Sequence, residues 1–234
     1  MISDKLELRK LIFQILFQPK FDLLDKRGRL LTIISQKELY DKVGLTKSGL
    51  TCKSEKEDLL WTLGIDLTDV SGSIEHKNVH IKSQEKIFKL VNDIFNVLDV
   101  SEILRIGLRY FFIQQVKSYD ALKDVLIKKH DQELVSLLGE KFSDLAIILV
   151  SQETDHFVRY RVGPIRKKEY AHIFDKPDSI DYDWGLCFDC DYFVEKAKYK
   201  EIRLDHYVES SYLEISEKVN NVADQIINEL RAGK

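Results

Sequence analysis

The sequence predicts an α+β fold in which mainly antiparallel β-sheet is covered by amphipathic helices. Bulky apolar residues alternate with polar ones in several segments, which is typical of antiparallel strands with one buried face. Other segments repeat apolar residues at helical spacing, and a helix lying on a sheet buries the apolar surface of both. With 10 glycines and 3 prolines in 234 residues, the chain also offers little material for flexible linkers.

Strands are predicted where large apolar side chains recur at every second residue, because alternate residues of a strand face the same side. In the first strand, Leu11, Phe13, Ile15 and Phe17 share a face. Asp25–Gly28 is a turn signal, from which we expect a second strand to return as a hairpin. The predicted strands are 11–17, 30–34, 59–67, 103–116, 143–152, 156–163 and 184–194.

Helices are predicted where apolar residues follow a spacing of three and four. Ile87, Leu90, Val91 and Ile94 form the clearest such stripe, and Ser35–Glu38 matches a capping box that begins a short helix. Residues 45–57 are polar without a period and are predicted as loop, whereas 71–73 and 163–164 are predicted breaks after strands. The predicted helices are 35–44, 84–98, 118–138 and 211–231.

The order of elements suggests one domain over 1–234 built from two similar halves. Each half reads as several antiparallel strands followed by a long amphipathic helix. An alternative division is 1–117 and 140–234, joined by a helical segment at 118–139. The halves share no residue-level identity, so this expectation depends on element order alone.

Composition excludes several classes of protein. The net charge of -3 and the pI near 6.1 provide no general attraction to nucleic acid or anionic membranes. The 3 cysteines lack the spacing of a disulfide framework, which favours a cytoplasmic location. The N-terminal apolar run is too short and interrupted for a signal peptide or membrane span. We therefore expect no membrane association.

The pair Cys187 and Cys190 has the spacing of a metal-binding or redox motif. Zinc usually needs four ligands from two such pairs, and this chain has one. In a strand, an offset of three also directs the two thiols to opposite faces. We therefore predict buried packing for both cysteines and no metal site, and since the six histidines form no ligand motif, no cofactor.

Four aspartates near strand ends leave an enzymatic alternative open. Asp66, Asp69, Asp189 and Asp191 could supply paired carboxylates or a magnesium site. No nucleophile and base accompany them, and no phosphate-binding glycine loop is present. We therefore predict no catalytic residue, and a metal-dependent enzyme stays a secondary hypothesis.

The strongest candidate site is basic. Arg105 and Arg109 share one face of a predicted strand, and Arg159 and Arg161 share a face of another. If these two strands are neighbours, four guanidinium groups converge on one sheet surface that suits phosphate or carboxylate groups. The alternative is that these arginines pair with acidic residues on an ordinary solvated face.

The segment Leu104–Tyr110 resembles a strand of a sporadically distributed bacterial family of unknown function, whose members have about 250 residues. The family's initial apolar strand, late acidic strand and final helix are similar to segments 11–18, 184–194 and 211–231. The resemblance implies no assigned activity. A patchy distribution suits genes associated with mobile elements or defence.

The leading functional hypothesis is a non-enzymatic protein-interaction or regulatory module that acts through a sheet face or edge. Its partner would be an unknown protein or a second copy of the chain, as in a homodimer. The alternative is binding of nucleic acid or nucleotide phosphate by the four arginines, for which affinity falls steeply with salt.

Overall fold

The computed structural model describes residues 5–56, 59–129, 146–153, 155–177, 180–198 and 203–232. Nine strands are present in them: β1 (Glu7–Phe17), β2 (Lys42–Leu45), β3 (Leu50–Lys56), β4 (Leu59–Ile65), β5 (Asp69–Glu75), β6 (Glu102–Gln115), β7 (Ile147–Gln152), β8 (Phe157–Arg166) and β9 (Trp184–Lys198). They form one antiparallel sheet in the order β2-β3-β4-β5-β1-β6-β9-β8-β7. The predicted α+β class with antiparallel strands is confirmed.

The described residues contain five α-helices: α1 (Leu23–Gln36), α2 (Glu85–Val97), α3 (Tyr119–Lys129), α4 (Lys167–Tyr170) and α5 (Leu204–Ala232). A 3₁₀ turn at Ile81–Gln84 leads into α2. None of the helices in the described ranges is both long and apolar enough to cross a membrane. Residues 130–138 of the helix predicted after Ser118 lie outside the described residues.

The topology divides the sheet into two halves of similar order. In each half a long strand is followed by a helix and an antiparallel run of strands, whose last member returns beside the first strand. Thus β5 pairs with β1, and β9 pairs with β6. The two long strands β1 and β6 pair with each other antiparallel, which joins the halves into one continuous sheet.

One face of the sheet carries the main core and is covered by α1, α2, α3 and α5; we call it the helix-covered face. Phe13 of β1 meets Phe88 of α2 with ring centroids 5.8 Å apart. Tyr110 of β6 is fully buried, and its hydroxyl lies 2.8 Å from the Ser211 hydroxyl of α5. Alternation within the strands produces this face, as predicted, because every second side chain points toward the helices.

Among the described residues, α4 and the chain that follows it cover the middle of the opposite face. A second, smaller core lies there and contains Phe111 of β6, Tyr170 of α4, Phe174 and Ile180. Lys10 of β1 fixes this cover, since its ammonium group donates hydrogen bonds to the Ile173 carbonyl and the Asp175 carboxylate at 2.8 and 2.7 Å. Over β8, Arg159 and Arg161 on this face are exposed.

The hairpin predicted at 25–34 is wrong, because this segment belongs to helix α1. Leu23, Leu30 and Ile34 are its buried residues, and offsets of seven and four place them on one side of a helix. Gly28 has no heavy atom within 4 Å of where its Cβ would be, so it occupies an open helical position. Burial of the apolar stripe outweighs the cost of about 1 kcal/mol for a glycine within a helix.

Other predicted boundaries are also wrong. Ser35 lies in the last turn of α1 rather than at the cap of a new helix, and 42–45 forms strand β2. Residues 50–56, predicted as loop, form β3, in which only Leu50, Cys52 and Ser54 are buried. The predicted breaks at 71–73 and 163–164 lie inside β5 and β8. Pairing to neighbouring strands extends through these small residues.

Candidate functional site

The four candidate arginines lie on the opposite face of the sheet, but their strands are not neighbours. Strand β9 lies between β6, which carries Arg105 and Arg109, and β8, which carries Arg159 and Arg161. The condition for a direct convergence of four guanidinium groups is therefore not met. The two pairs are separated by two strand spacings, about 9.5 Å.

Strand β9 places carboxylates between the arginines. The Arg109 guanidinium donates two hydrogen bonds to the two oxygens of Asp189, both at 2.7 Å. Arg159 donates to Asp191 at 3.0 Å. The hydrogen bonds that Arg109 donates to the Asp189 carboxylate raise the pKa of the guanidinium, so this group stays charged. A two-pronged contact of this kind is the geometry that an arginine also uses to bind a phosphate, and here the protein's own carboxylate occupies it.

The other two arginines, Arg105 and Arg161, also lie opposite acidic residues of β9. The Arg105 guanidinium lies 4.7 Å from the centroid of the Phe193 ring, and Arg105 is opposite Glu195 in the pairing of β6 and β9. Arg161 is opposite Asp189 in the pairing of β8 and β9. Four arginines thus face three carboxylates, which leaves a surplus of one positive charge. This balance favours the alternative in which the arginines pair with acidic residues of the sheet.

A small cavity of about 320 Å³ lies beside Arg161, next to the cover from α4. Its wall includes Arg161 and His172, together with the carboxylates of Glu169 and Asp189 and the Cys187 side chain. The Arg161 guanidinium thus shares the cavity with two carboxylates. The cavity therefore selects neither an anion nor a cation.

The four candidate aspartates do not form one site. Asp66 and Asp69 lie at the hairpin between β4 and β5, where Asp66 accepts a hydrogen bond from the Ser48 hydroxyl at 2.7 Å. Asp189 and Asp191 lie on β9, with β1 and β6 in between. The described part of the chain contains no group of three or more His, Cys, Asp or Glu residues able to hold a metal ion.

The cysteines are free and buried, and Cys187 and Cys190 point to opposite faces, as predicted from their spacing. Cys190 belongs to the main core, whereas Cys187 belongs to the smaller core on the other side. Burial raises the pKa of Cys52 to about 11 and that of Cys187 to about 12. A thiolate is the reactive form of cysteine, and it is disfavoured at all three positions.

We expect all three thiols of the native protein to be unreactive toward a thiol reagent at pH 8. Burial excludes the reagent and holds the thiols protonated well above that pH. Absorbance after addition of Ellman's reagent should show three thiols per chain only once guanidinium chloride unfolds the protein. A thiol that reacts rapidly in the folded chain would contradict the structural role of these cysteines.

The most exposed apolar segment of the sheet is its edge strand β7. Within the described residues β7 pairs with β8 alone, so its outer side is unpaired. Ile148 and Leu149 are each 60% exposed, and Val150 is 67% exposed. Ile148 and Val150 lie on the opposite face and Leu149 on the helix-covered face. The strand therefore presents apolar groups on both sides of an open hydrogen-bonding edge.

Strand β2, at the other edge, differs in ways that protect edge strands from pairing. It has 4 residues rather than the 6 of β7, and it carries Lys42 and Gly44. Short length and an edge lysine both discourage addition of a further strand. Strand β7, Ile-Ile-Leu-Val-Ser-Gln, contains no charge, proline or glycine. Of the two edges, β7 is the one that can accept another strand.

Sequence reasoning located β7 but did not show that it lies at the edge of the sheet. The available signal was the continuous apolar run Ile147–Val150, which differs from the alternation in the other strands. Such a run places apolar side chains on both faces of a strand and usually indicates burial on both. Whether such a strand is central or at an edge depends on pairing with distant segments. The sequence of the strand does not contain that information.

Comparison of the sequence with models of known protein families finds no match. A comparison with curated proteins also finds no similar sequence. The resemblance at Leu104–Tyr110 therefore stays a prediction. The chain is defined by its class, an α+β protein with one mixed-charge sheet face and one apolar edge strand.

Proposed function

We propose that this protein is a non-enzymatic protein-interaction module that binds through strand addition at β7. The observation that carries the proposal is the exposure of Ile148, Leu149 and Val150 on an unprotected sheet edge. Main-chain hydrogen bonds supply affinity in strand addition, and alternating side chains supply specificity. The occupant that fits best is β7 of a second copy of the chain.

Self-pairing is supported by the order of side chains in β7. In an antiparallel pair centred on Leu149, that residue faces its own copy, Ile148 faces Val150, and Ile147 faces Ser151. The two-fold axis is perpendicular to the sheet, so the helix-covered faces of both copies lie on the same side. Aliphatic groups then meet across the three central pairs, and directly opposite side chains contribute about 0.2–1 kcal/mol per pair.

Charge does not oppose this pairing. Strand β7 has no charged residue, and Arg159 and Arg161 lie one strand further in, on β8. In the paired sheet, these arginines are three strand spacings from those of the other copy, about 14 Å. That distance exceeds the screening length of about 10 Å at 0.1 M salt.

The first half of the sheet supports the same conclusion. There β3 has β2 as an outer antiparallel neighbour, whereas β7, the strand at the corresponding position of the second half, has no outer neighbour among the described residues. A partner strand at β7 extends the second half in the same way. Since stable interfaces bury about 1,200–2,000 Å², more than one pair of short strands provides, we expect a weak dimer that forms with rising concentration.

We expect Leu149→Lys to convert this dimer into a monomer, because two ammonium groups would face each other at the two-fold axis. Sedimentation equilibrium over a range of concentrations measures the change. The matched control is Leu45→Lys, which places the same charge at an exposed apolar position of the other edge, where Leu45 is 63% exposed. The control should dimerise as the unmodified chain does.

A cysteine at Leu149 tests the register. Residues directly opposite in an antiparallel pair have Cα atoms about 4.5–5.5 Å apart, within the range that a disulfide spans. Leu149→Cys should therefore form a covalent dimer on mild oxidation, while Leu45→Cys should not. A chain that is monomeric at every concentration, or one whose dimer is unaffected by Leu149→Lys, would remove the proposal.

A further inference from the structure

A basic cleft lies where the end of β8 meets the start of β9, between the start of α3 and the junction of β8 with α4. Its volume is about 620 Å³. The residues that line it are Lys117, Ser118, Tyr119, Asp120, Arg166, Lys167, Lys168, Asp183 and Trp184. This volume is within the usual range of small-molecule sites, about 300–1,000 Å³.

Backbone hydrogen bonds hold the walls of the cleft together. The Val116 amide, next to Lys117, donates to the Trp184 carbonyl at 3.1 Å, and the Lys167 amide donates to the Asp183 carbonyl at 2.9 Å. The segments before α3 and α4 are thus both joined to the start of β9. The cations of the cleft are therefore attached to backbone whose position is fixed, which reduces the entropy lost on binding.

The charge of the cleft differs from that of the whole chain. Lys117, Lys167 and Lys168 are exposed, and no ion pair of theirs occurs among the described residues. With Arg166 they make four cations against two carboxylates, and one of these, Asp120, lies 3.8 Å from the Lys123 ammonium of its own helix. A protein with a net charge of -3 thus concentrates positive charge here, in contrast to the balanced arginines of the sheet.

Aromatic rings form the apolar part of the cleft. The Arg166 guanidinium lies 4.2 Å from the centroid of the Tyr119 ring, and that ring lies 5.5 Å from the ring of Trp184. Tyr119 is buried, whereas Trp184 is partly exposed and lines the cleft. Stacking on Tyr119 fixes the direction of the arginine, and the exposed surface of Trp184 offers an aromatic face to a planar group.

We propose that this cleft binds a small phosphorylated ligand with a planar ring, of the nucleotide type. The lysine ammonium groups would contact the phosphates, and Trp184 would contact the ring. The inference does not depend on β7, since different residues form the two surfaces. Phosphate binding is thus expected at this cleft, where cations exceed carboxylates, and not at the sheet arginines, which are paired with acidic residues.

Trp184 is a built-in reporter, because the chain has only 2 tryptophans and the other, Trp61, is in β4. The experiment titrates the full chain with ATP at low salt in the presence of a chelator and follows tryptophan fluorescence. We expect a saturable change that weakens as salt rises. Pyrophosphate should bind more weakly than ATP, and adenosine should give no measurable saturation.

The double variant Lys167→Glu with Lys168→Glu should lose at least tenfold in affinity. The matched control, Lys42→Glu with Lys47→Glu, changes the net charge equally at exposed positions of the other sheet end and should bind ATP as the unmodified chain does. Thermal unfolding of each variant verifies that it is folded. The proposal is overturned by no saturable signal with ATP, by equal losses in both double variants, or by pyrophosphate binding as tightly as ATP.

Discussion

Replacing Lys10 with methionine is expected to lower the free energy of unfolding by about 3–5 kcal/mol, the usual cost of removing one partner of a buried ion pair. The Lys10 side chain is 7% exposed and its ammonium lies 3.3 Å from the carboxylate of Glu75, which is 3% exposed. Without Lys10, the buried Glu75 carboxylate loses its ion pair and keeps the hydrogen bonds from the backbone amides of Asp175 and Lys176. The Ile173 carbonyl and Asp175 also lose the donor that holds the cover of the second core.

Guanidinium chloride unfolding followed by circular dichroism measures this loss. The matched control is Lys37→Met, because Lys37 makes an ion pair with Asp93 at 2.7 Å in which both side chains are about 40% exposed. Lys37→Met should lower the free energy of unfolding by no more than about 1 kcal/mol. Adding Glu75→Gln to Lys10→Met should recover part of the loss. Equal stability of the Lys10 and Lys37 variants would show that the buried pair does not fix the cover.

Phe13→Ala is expected to cost about 3–5 kcal/mol through loss of apolar burial and creation of a cavity. Phe13 is 1% exposed and lies between the Phe88 ring and Gly72. A Cβ on Gly72 would come within 2.6 Å of the Phe13 ring and 2.5 Å of the Thr62 carbonyl oxygen. The glycine therefore makes room for the ring, and the neighbouring backbone cannot easily fill the space that alanine leaves.

The matched control for this variant is Phe21→Ala, which removes an identical side chain that is 76% exposed. It should change the free energy of unfolding by no more than about 0.5 kcal/mol, as is usual for surface substitutions. Both variants are measured by the same denaturant titration. A loss below 1 kcal/mol for Phe13→Ala would be inconsistent with a tightly packed contact between β1 and α2.

The elements predicted best are those whose burial is decided by their own residues. Helix α2 buries seven of its 13 residues, and β6 alternates large apolar and polar groups through most of its length. Both patterns are strong enough to indicate whether the element is a helix or a strand and which of its faces is buried. In α1, by contrast, the glycine and the charged residues at 25–29 weaken the stripe, and contact with α2 supplies the missing stability.

The candidate site was predicted less well because it depends on which strands are neighbours. The alternation in β6, β8 and β9 correctly placed the arginines on one side of their strands and Asp189 and Asp191 on one side of theirs. The pairing of β6 with β9, however, joins residues about 80 positions apart, such as Arg109 and Asp191. A local pattern cannot determine that pairing, so it could not show that carboxylates lie between the arginines.

The division of the sheet into two halves has a consequence for how the chain folds. Every strand pair except β1–β6 joins strands of the same half, and β3–β4 and β4–β5 are hairpins with short connections. The β1–β6 pair joins residues such as Phe13 and Leu108, about 95 positions apart. Closing so long a loop costs more entropy than forming a hairpin, and distant contacts slow folding. The hairpins are therefore expected to form early, and the rate is limited by the distant pairings β1–β6 and β6–β9, the second of which joins residues about 70 to 96 positions apart.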